Sequence, residues 1–449
     1  MDAAVLDRRT RTHQECVPPD LVERLLALGH ADAVRAQALA EDGDWFCARA
    51  WARLLAGRGD TPGALAVLAP YVRTGWYTAA EEAARLLDAA GRGDEALDLL
   101  RPFTEDGERS ALRELARLLA RRGRAEEAYA VLLPHLGDWY LAGPIADLAV
   151  RLGRGDAFAG MLAERIATDR PCSRCGGRDC PREPEPSHAV ALLASVRERQ
   201  GRTDEALQVL YAHGSAPVND RDPLAELLVR QGRIDELRTY AADGEHPSAV
   251  RRLAELLEER GDVAGAVDLY RAHVRHPLGH AESLLAELLA RHGRGDEAIE
   301  VLRARETSDD CTLDLLCRLF AAGGRAEEGL AHLDALKARR GKEEWELFRL
   351  RGPLLAACGR LDEAVRQAGA HPEGRSPYAV EELARLLADH GRREEAVALL
   401  DTDRVQHGRT LGPLLVDLGR IEEAITLLRT PLPQVPPPSP AVYSDYPPF

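Results

Sequence analysis

The sequence has 449 residues and a formal net charge of −15, and its side chains are 45% hydrophobic but only 5% aromatic. This acidic balance does not favour wholesale binding to nucleic acids, whose phosphates attract positive charge. No apolar run is long enough for a transmembrane helix, and the arginines near residue 10 are not followed by the apolar core of a signal peptide. We therefore expect a cytoplasmic protein with reduced thiols and no membrane partner.

The N-terminal region differs from the rest of the chain. Residues 1–19 are polar and end in Pro18 and Pro19, which predicts a loose leader. The following segment, up to residue 40, has the pattern of an irregular helical hairpin around Gly29, with Val22 at a position that is small in later hairpins. End units of a repeat array are often irregular because one face meets water, so we interpret this hairpin as a cap. It begins a predicted helical region that covers residues 20–429.

Glycines recur at nearly constant steps through this region, each between two short amphipathic segments. In residues 284–302, Leu285 and Leu289 lie one helical turn apart before Gly293, and Val301 and Leu302 follow it. Glycine takes the left-handed conformation that a tight turn between helices requires. Most steps between glycines are 28 to 35 residues, and one is 48. The predicted turn glycines are Gly59, Gly91, Gly123, Gly153, Gly201, Gly232, Gly261, Gly293, Gly324, Gly359, Gly391 and Gly419.

Small residues recur in phase with these glycines. The residue seven positions before the glycine is always small, as at Ala116 and Ala286, and the residue five positions after it is mostly alanine, as at Ala128 and Ala298. Small side chains at two fixed places allow paired helices to approach closely. One such hairpin cannot bury its apolar face alone, so copies must stack. The sequence therefore predicts an all-α fold, an α-α superhelix (solenoid) of about 12–13 stacked helix-turn-helix repeats.

A Cys-rich loop is predicted at residues 170–187, where proline, glycine and charged residues replace the helical pattern. Three thiolates and one imidazole form a known tetrahedral zinc set. Cys172, Cys175 and Cys180, with His188 just after the loop, offer this set and indicate a possible structural zinc site. The second half of the motif is a single cysteine and a histidine, so a loop without metal and a redox-active pair remain open alternatives. We expect no other cofactor.

Two further features interrupt the helical pattern. Gly-Pro pairs at 143–144, 352–353 and 412–413 lie within predicted first helices, which suggests that these helices start late, since proline is tolerated in the first turn. Residues 430–449 contain eight prolines and have no helical period. This composition predicts a disordered tail of polyproline character.

The repeat pattern resembles the tetratricopeptide repeat family. That family has a large residue followed by a small one in the first helix, a later apolar residue, a turn glycine and an alanine early in the second helix. Leu115, Ala116, Leu119, Gly123 and Ala128 fit this order. The repeats here are shorter than the usual 34 residues. The resemblance implies a helical-hairpin solenoid whose first helices line a concave face that binds peptides.

If the resemblance holds, the residue six positions before each turn glycine points to that face. Arginines come first in this row, then carboxylates, then arginines again, which indicates an electrostatically zoned surface that binds acidic and basic segments in different zones. The alternative interpretation is that these residues are exposed charges that form ion pairs with neighbours one repeat away and bind no partner. The predicted partner-binding residues are Arg53, Arg85, Arg117, Glu226, Glu255, Glu287, Arg318 and Arg385.

No signature of an enzyme is present. The sequence contains no Gly-rich phosphate loop, nucleophile elbow or H-E-x-x-H motif, and no non-repeat segment long enough to hold a catalytic domain. We interpret the chain as a non-enzymatic scaffold or adaptor that binds another protein or peptide. The alternative is a repeat protein that binds nucleic acid through the arginines, which the net charge makes less favourable. The sequence does not predict an oligomeric state.

Overall fold

The chain folds into helices grouped in two compact units. A computed structural model describes residues 2–105, 107–168, 186–214, 221–242, 246–274, 281–304, 310–341 and 344–431. Unit 1 consists of residues 1–86 and 342–449, and unit 2 of residues 87–341, so the predicted helical region is divided between two units. In the described residues every regular element is an α-helix or a 3₁₀ turn, which confirms the all-α prediction. No helix in these residues is long and apolar enough to cross a membrane.

The helices follow one another in short antiparallel pairs. In the N-terminal part of unit 1 they are α1 (Ala3–Thr12), α2 (Pro19–Ala27), α3 (Ala31–Leu39), α4 (Trp45–Gly57), α5 (Thr61–Val72) and α6 (Tyr77–Ala89), which ends beyond the boundary. In unit 2 they are α7 (Gly93–Glu105), α8 (Arg109–Arg121), α9 (Ala125–Leu132), α10 (Trp139–Arg151), α11 (Gly155–Thr168), α12 (Pro186–Arg199), α13 (Thr203–His213), α14 (Pro223–Arg230), α15 (Ile234–Ala242), α16 (Pro247–Glu259), α17 (Val263–His273), α18 (Ala281–Arg291), α19 (Gly295–Arg303), α20 (Asp310–Ala322) and α21 (Ala326–Arg340). In the C-terminal part of unit 1 they are α22 (Trp345–Phe348), α23 (Arg351–Ala357), α24 (Leu361–Ala370), α25 (Pro377–Asp389), α26 (Arg393–Leu400), α27 (Gly408–Asp417) and α28 (Ile421–Arg429).

The predicted turn glycines connect the helices of each pair. Gly123, between α8 and α9, has a φ of 79°. Its amide donates to the Ala120 carbonyl at 3.2 Å, and the Arg124 amide donates to the Leu119 carbonyl at 2.9 Å, so the last carbonyls of α8 are satisfied. Each of the other predicted turn glycines also has a positive φ, as does Gly29 in the capping hairpin. The hairpin prediction is therefore confirmed at every turn.

The small residues lie where helices pack most closely. Ala116 is 3% exposed and Ala128 is fully buried, and the alanines at the same two positions of the other repeats are buried as well. Glycine replaces alanine at Gly412 of α27, where a Cβ atom would stand 2.9 Å from a methyl group of Leu428. Such a distance is shorter than carbon atoms tolerate. The core is therefore a series of thin helix-on-helix layers. The short distance between the packed helices allows only small residues at these positions.

The leader is packed against the helices, in contrast to the predicted loose segment. Asp2 caps the start of helix α1, since its carboxylate accepts from the Ala4 amide at 2.7 Å. Leu6 is buried, and the ring of His13 lies edge-on to that of Phe46 at 5.4 Å. Only Leu6 of this helix enters the core, too few residues for a helical period to be visible in the sequence.

The two ends of the helical region meet in unit 1. Arg24 of α2 forms an ion pair with Asp417 of α27. Arg429 of α28 donates to the side chain of Gln37 at 2.7 Å and to the Asp42 carbonyl. These contacts join the first hairpin to the last, although their residues are almost 400 positions apart.

The prediction of late helix starts is wrong for two of the three Gly-Pro pairs. Helix α10 begins at Trp139 and contains Pro144, and α27 begins at Gly408 and contains Pro413. In a helix interior the proline ring clashes with the carbonyl four residues back and with the backbone N–H and Cβ of the preceding residue, and a preceding glycine removes the Cβ part of this clash. These helices therefore continue through the proline at the loss of one hydrogen bond.

Candidate functional site

The predicted partner-binding residues lie on first helices, next to the buried small residues. The predicted arginines that belong to unit 1 form ion pairs with carboxylates of the chain. Arg53 of α4 donates from Nε and Nη2 to both carboxylate oxygens of Glu82 on α6, at 2.6 and 2.7 Å. These hydrogen bonds raise the pKa of Arg53 above its ordinary value. Arg85, one helical turn further along α6, donates to Glu81 at 2.6 Å and lies 3.9 Å from Glu82. The two arginines thus share one acidic cluster whose central residue, Glu82, is buried.

Arg117 shows the same arrangement within unit 2. It donates to both carboxylate oxygens of Glu114, one turn back on α8, at 2.9 and 2.6 Å. Its guanidinium also lies 3.8 Å from Asp88 at the end of α6, to which Arg121 donates at 2.8 Å. The alternative interpretation of the sequence, pairing with a neighbouring repeat, therefore describes Arg53 and Arg117.

Two of the three predicted carboxylates line one cavity in unit 2. This cavity has a volume of about 310 Å³ and lies between α14 and α16. Glu226 and Glu255 contribute to its wall, and Arg252 lies between them at 3.6 Å from each. The side chain of Glu255 remains 50% exposed, whereas that of Glu226 is 23% exposed. The cavity is polar and of mixed charge, so it is suited to a charged peptide side chain.

Glu287 of α18 is the most available of the predicted residues. It is exposed and forms no ion pair with any other described residue. Arg318 of α20, by contrast, pairs with Asp314 one turn back at 2.9 Å, and its side chain stays 66% exposed. We refer to Glu226, Glu255 and Glu287 as the acidic row, since they occupy the same position of α14, α16 and α18.

Arg385 of α25 lies in a groove on the C-terminal first helices of unit 1, which we call the C-terminal groove. An apolar cavity of about 290 Å³ and a polar cavity of about 790 Å³ share Arg385 and Asp389 in their walls. Residues of α22, α23, α24 and α25 line the apolar cavity, and residues of α2, α25, α26 and α27 line the polar one. Arg385 donates to Glu381 at 3.1 Å and to the Thr410 hydroxyl at 3.4 Å.

A regular ladder of ion pairs at the start of the second helices was not predicted from the sequence. Arg325, directly after its turn glycine, donates to both oxygens of Glu328 at 2.7 and 2.8 Å and to Asp296 of the preceding repeat at 2.9 Å. The Arg325 guanidinium lowers the pKa of Glu328 below its ordinary value. The arginines that follow a turn glycine and pair in this way with a glutamate three residues later are Arg92, Arg124, Arg202, Arg233, Arg294, Arg325, Arg360, Arg392 and Arg420.

This ladder has a sequence signal, the recurrent Gly-Arg followed by two acidic residues. The partner from the preceding repeat could not be seen in one repeat alone, because it lies in a different hairpin. We refer to these pairs as the second-helix ladder.

Two buried aspartates cap first helices. Asp44, 3% exposed, accepts from the Cys47 amide of α4 at 3.0 Å and from the Val17 amide at 2.7 Å, and burial raises its pKa above the ordinary value. Asp222 caps α14 in the same way and also accepts from the Tyr240 hydroxyl at 2.7 Å. Both are structural, since their oxygens accept from backbone amides and, in Asp222, from the Tyr240 hydroxyl as well.

The predicted zinc site lies largely outside the described residues. Cys172, Cys175 and Cys180 are not among them, and His188 is half-buried on α12. Within the part of the chain that the structure describes, no group of three or more His, Cys, Asp or Glu side chains could hold a metal ion. The zinc prediction therefore stays a prediction.

Comparisons with known proteins match parts of the chain. Two family profiles described as tetratricopeptide repeat match it, one at residues 224–279 and the other at residues 109–134 and 377–402. The structure of Naa15/Naa10 bound to HypK-THB aligns with a TM-score of 0.40 and 15% identity, covering 95% of this chain and 67% of that one. A tetratricopeptide repeat protein from Parabacteroides merdae aligns with a TM-score of 0.28 and 13% identity, covering 68% of this chain and all of that one. No curated protein matches the sequence.

Proposed function

Because the chain is a divergent tetratricopeptide-type repeat protein, we propose that it is a non-enzymatic, cytoplasmic scaffold that binds another protein or peptide through its first helices. One observation carries this proposal. In successive repeats a buried small residue, such as Ala254 or Ala286, is followed directly by an exposed charged one, such as Glu255 or Glu287. Packing therefore fixes the direction of each charged side chain, and the charges follow one another at the spacing of the helices.

The acidic row is the part of this surface that a partner can use most readily. Arg53, Arg85 and Arg117 would each have to exchange a carboxylate of the chain for one of the partner. Glu287 forms no ion pair with a described residue, although Arg291 on the same helix interacts with it electrostatically, and the distances from Glu255 to its arginines are long, at 3.6 and 3.9 Å. We therefore propose a basic segment of the partner as the ligand of the acidic row. The paired state of the three arginines also weighs against the alternative of nucleic-acid binding.

The experiment is capture of partners by the full-length chain, with mass spectrometry as readout. Glu255→Lys and Glu287→Lys together should lose the specific partner, and raised salt should weaken its binding, because exposed charges are screened over about 10 Å at 0.1 M. Glu105→Lys is the matched control, since Glu105 is an exposed glutamate of the same unit, at the end of a second helix, α7, and forms no ion pair with a described residue. Far-ultraviolet circular dichroism should be the same for all three proteins. Equal capture by the double variant and the control would contradict the proposal.

A further inference from the structure

Two arginines and two aromatic residues lie together at the start of α8 and α10, first helices of unit 2 that contact each other. Arg109 and Arg113 of α8 both lie over the ring of Tyr140, the second residue of α10, at 5.7 and 4.5 Å from its centroid. Trp139, the first residue of α10, lies edge-on to Tyr140 at 6.1 Å. We refer to these four residues as the aromatic-arginine patch. Stacking on a ring orients a planar guanidinium and leaves the N–H groups at its edge for other acceptors.

The patch lies on the same side of the first helices as the predicted partner-binding residues. Arg113 and Arg109 come one and two turns before Arg117, so all three occupy one side of α8. Tyr140 comes two turns before Asp147, which holds the position of Arg117 in α10. The patch is therefore part of the first-helix surface, but it shares no residue with the acidic row.

The positive charges of the patch are available to another molecule. Arg109 and Arg113 are exposed, and neither forms an ion pair with a described residue. The carboxylate before each helix is used as its cap: Glu108 accepts from the Ser110 amide at 3.1 Å, and Asp138 accepts from the Tyr140 amide at 2.9 Å. An acidic group of a partner would thus meet two guanidinium groups without first displacing a carboxylate from them.

Trp139 adds an apolar surface beside these charges. Its side chain is 57% exposed, the highest fraction among the large apolar side chains in the part of the chain that the structure describes. Single exposed apolar residues are common on protein surfaces and need no explanation. Trp, Tyr and Arg, however, are the residue types that contribute most to binding at protein interfaces. Their combination in one patch therefore favours a protein or peptide as the ligand.

The spacing of the two arginines indicates the conformation of that ligand. Residues four apart on a helix have Cβ atoms about 5–6 Å apart. In an extended peptide, residues two apart point to the same side and lie about 6.6 Å apart. Two carboxylates in this relation can each meet one guanidinium. Neighbouring helices lie about 8–10 Å apart, so a bulky side chain of the same segment can reach from α8 to Trp139.

We propose that the aromatic-arginine patch binds an extended acidic segment of a partner protein. Two carboxylates, two residues apart, pair with Arg109 and Arg113, and an aromatic or proline side chain of the segment packs on Trp139. A single-stranded nucleic acid fits less well, because it requires positive charge along several nucleotides. The next arginine on this side of α8, Arg117, is already paired with Glu114. The inference rests on the proposed function in using the first-helix surface, and it adds a second site of opposite charge to the acidic row.

Peptide display on the full-length chain tests this proposal. The probe is a phage library of random dodecapeptides, selected in parallel on the unchanged protein and on a double variant with Arg109→Ser and Arg113→Ser. We expect the unchanged protein alone to enrich peptides with two Asp or Glu residues two positions apart and an aromatic residue or proline nearby. Enrichment of such peptides on both proteins, or on neither, would overturn the proposal. So would an oligothymidine of about 20 nucleotides that binds the unchanged protein and not the double variant, since the patch would then be a nucleic-acid site.

Matched variants show which side chains bind the selected peptide, whose Kd is measured by fluorescence anisotropy. Arg113→Ser and Trp139→Ser should each raise the Kd about tenfold, the loss expected for one charge-assisted hydrogen bond or one aromatic contact. Arg260→Ser is the control for the arginine, because Arg260 is exposed and forms no ion pair with a described residue. Tyr211→Ser is the control for the tryptophan, because Tyr211 is 50% exposed on the second helix α13. All four side chains are exposed, so circular dichroism should be unchanged, and equal Kd values for variants and controls would contradict the proposal.

The two sites on the first-helix surface can be tested separately. Glu255→Lys with Glu287→Lys should leave the Kd of the selected peptide unchanged within twofold, because these residues lie outside the patch. A larger effect would mean that the peptide binds elsewhere and would overturn the assignment to the patch. Failure of the peptide test would leave the acidic row standing, because its binding is measured by capture of partners.

Discussion

The ion pair between Arg53 and Glu82 offers a sharp test of whether a predicted binding residue is structural. Both hydrogen bonds are charge-assisted, at 2.6 and 2.7 Å, and the Glu82 side chain is only 5% exposed. Hydrogen bonds to charged groups contribute about 1.5–3 kcal/mol, and loss of one partner leaves the other buried without compensation. The Arg53 side chain is 50% exposed, so we take the lower end. We expect Arg53→Met to destabilise the contact of α4 with α6 by about 1.5 kcal/mol.

The measurement is amide hydrogen exchange of α4 and α6 in the full-length chain, since a repeat array need not unfold in one step. Arg318→Met is the control, because its pair with Asp314 is an exposed pair one turn apart, for which about 0.3–0.5 kcal/mol is typical. A double-mutant cycle with Glu82→Gln should give a coupling of about 1 kcal/mol. If Arg53→Met costs no more than Arg318→Met, the structural interpretation is wrong and Arg53 is free to exchange partners.

Three further outcomes follow from the structure. Asp44→Ala should destabilise unit 1 by about 2 kcal/mol in urea unfolding, because it removes the cap of α4 and an anchor of the leader, whereas Asp2→Ala, an exposed cap, should cost less. The glutamates of the second-helix ladder have pKa values below the ordinary 4.5, so their pairs stabilise the protein above that pH and are lost as the pH falls through the lowered pKa values. The melting temperature should therefore fall as the pH is lowered below about 4.5, and an unchanged value would mean that the ladder contributes nothing. If the zinc prediction is correct, the purified chain should carry about one equivalent of metal, and Cys175→Ser should abolish it without altering the helical spectrum.

The fold was predictable because its determinants repeat in the sequence. A turn such as the one at Gly123 needs a left-handed residue, and close packing such as that at Ala116 and Ala128 needs small ones. Each requirement is local to one hairpin, so it is visible in the chain at fixed spacing. The leader escaped prediction because its contacts with the start of α4 depend on single residues, His13 and Val17, that have no period.

The candidate site was predictable only in part. The residue six positions before a turn glycine was expected to be exposed on a first helix. Arg53, Glu255 and Glu287 are exposed there. It did not give their partners. The carboxylate that holds Arg53 lies in the next repeat, and sequence spacing does not say which of several nearby acidic residues will meet the guanidinium. The same limit explains why the second-helix ladder was missed.

Charged residues in this protein therefore have two roles, ion pairing within the chain and recognition of a partner. The amino-acid composition does not show which residue has which role. The arginines of the second-helix ladder are held by carboxylates at fixed distances from the turn glycines, as Arg325 is held by Glu328 and by Asp296 of the preceding repeat. Recognition of a partner must then depend on exposed charged residues that form no ion pair within the chain. Among the described residues these include Glu287 in unit 2 and Arg409 in unit 1, each exposed and without an ion pair. A binding surface built this way is selective because the paired charges are already satisfied, so a partner gains most where its own charge meets an exposed charged residue without an ion pair.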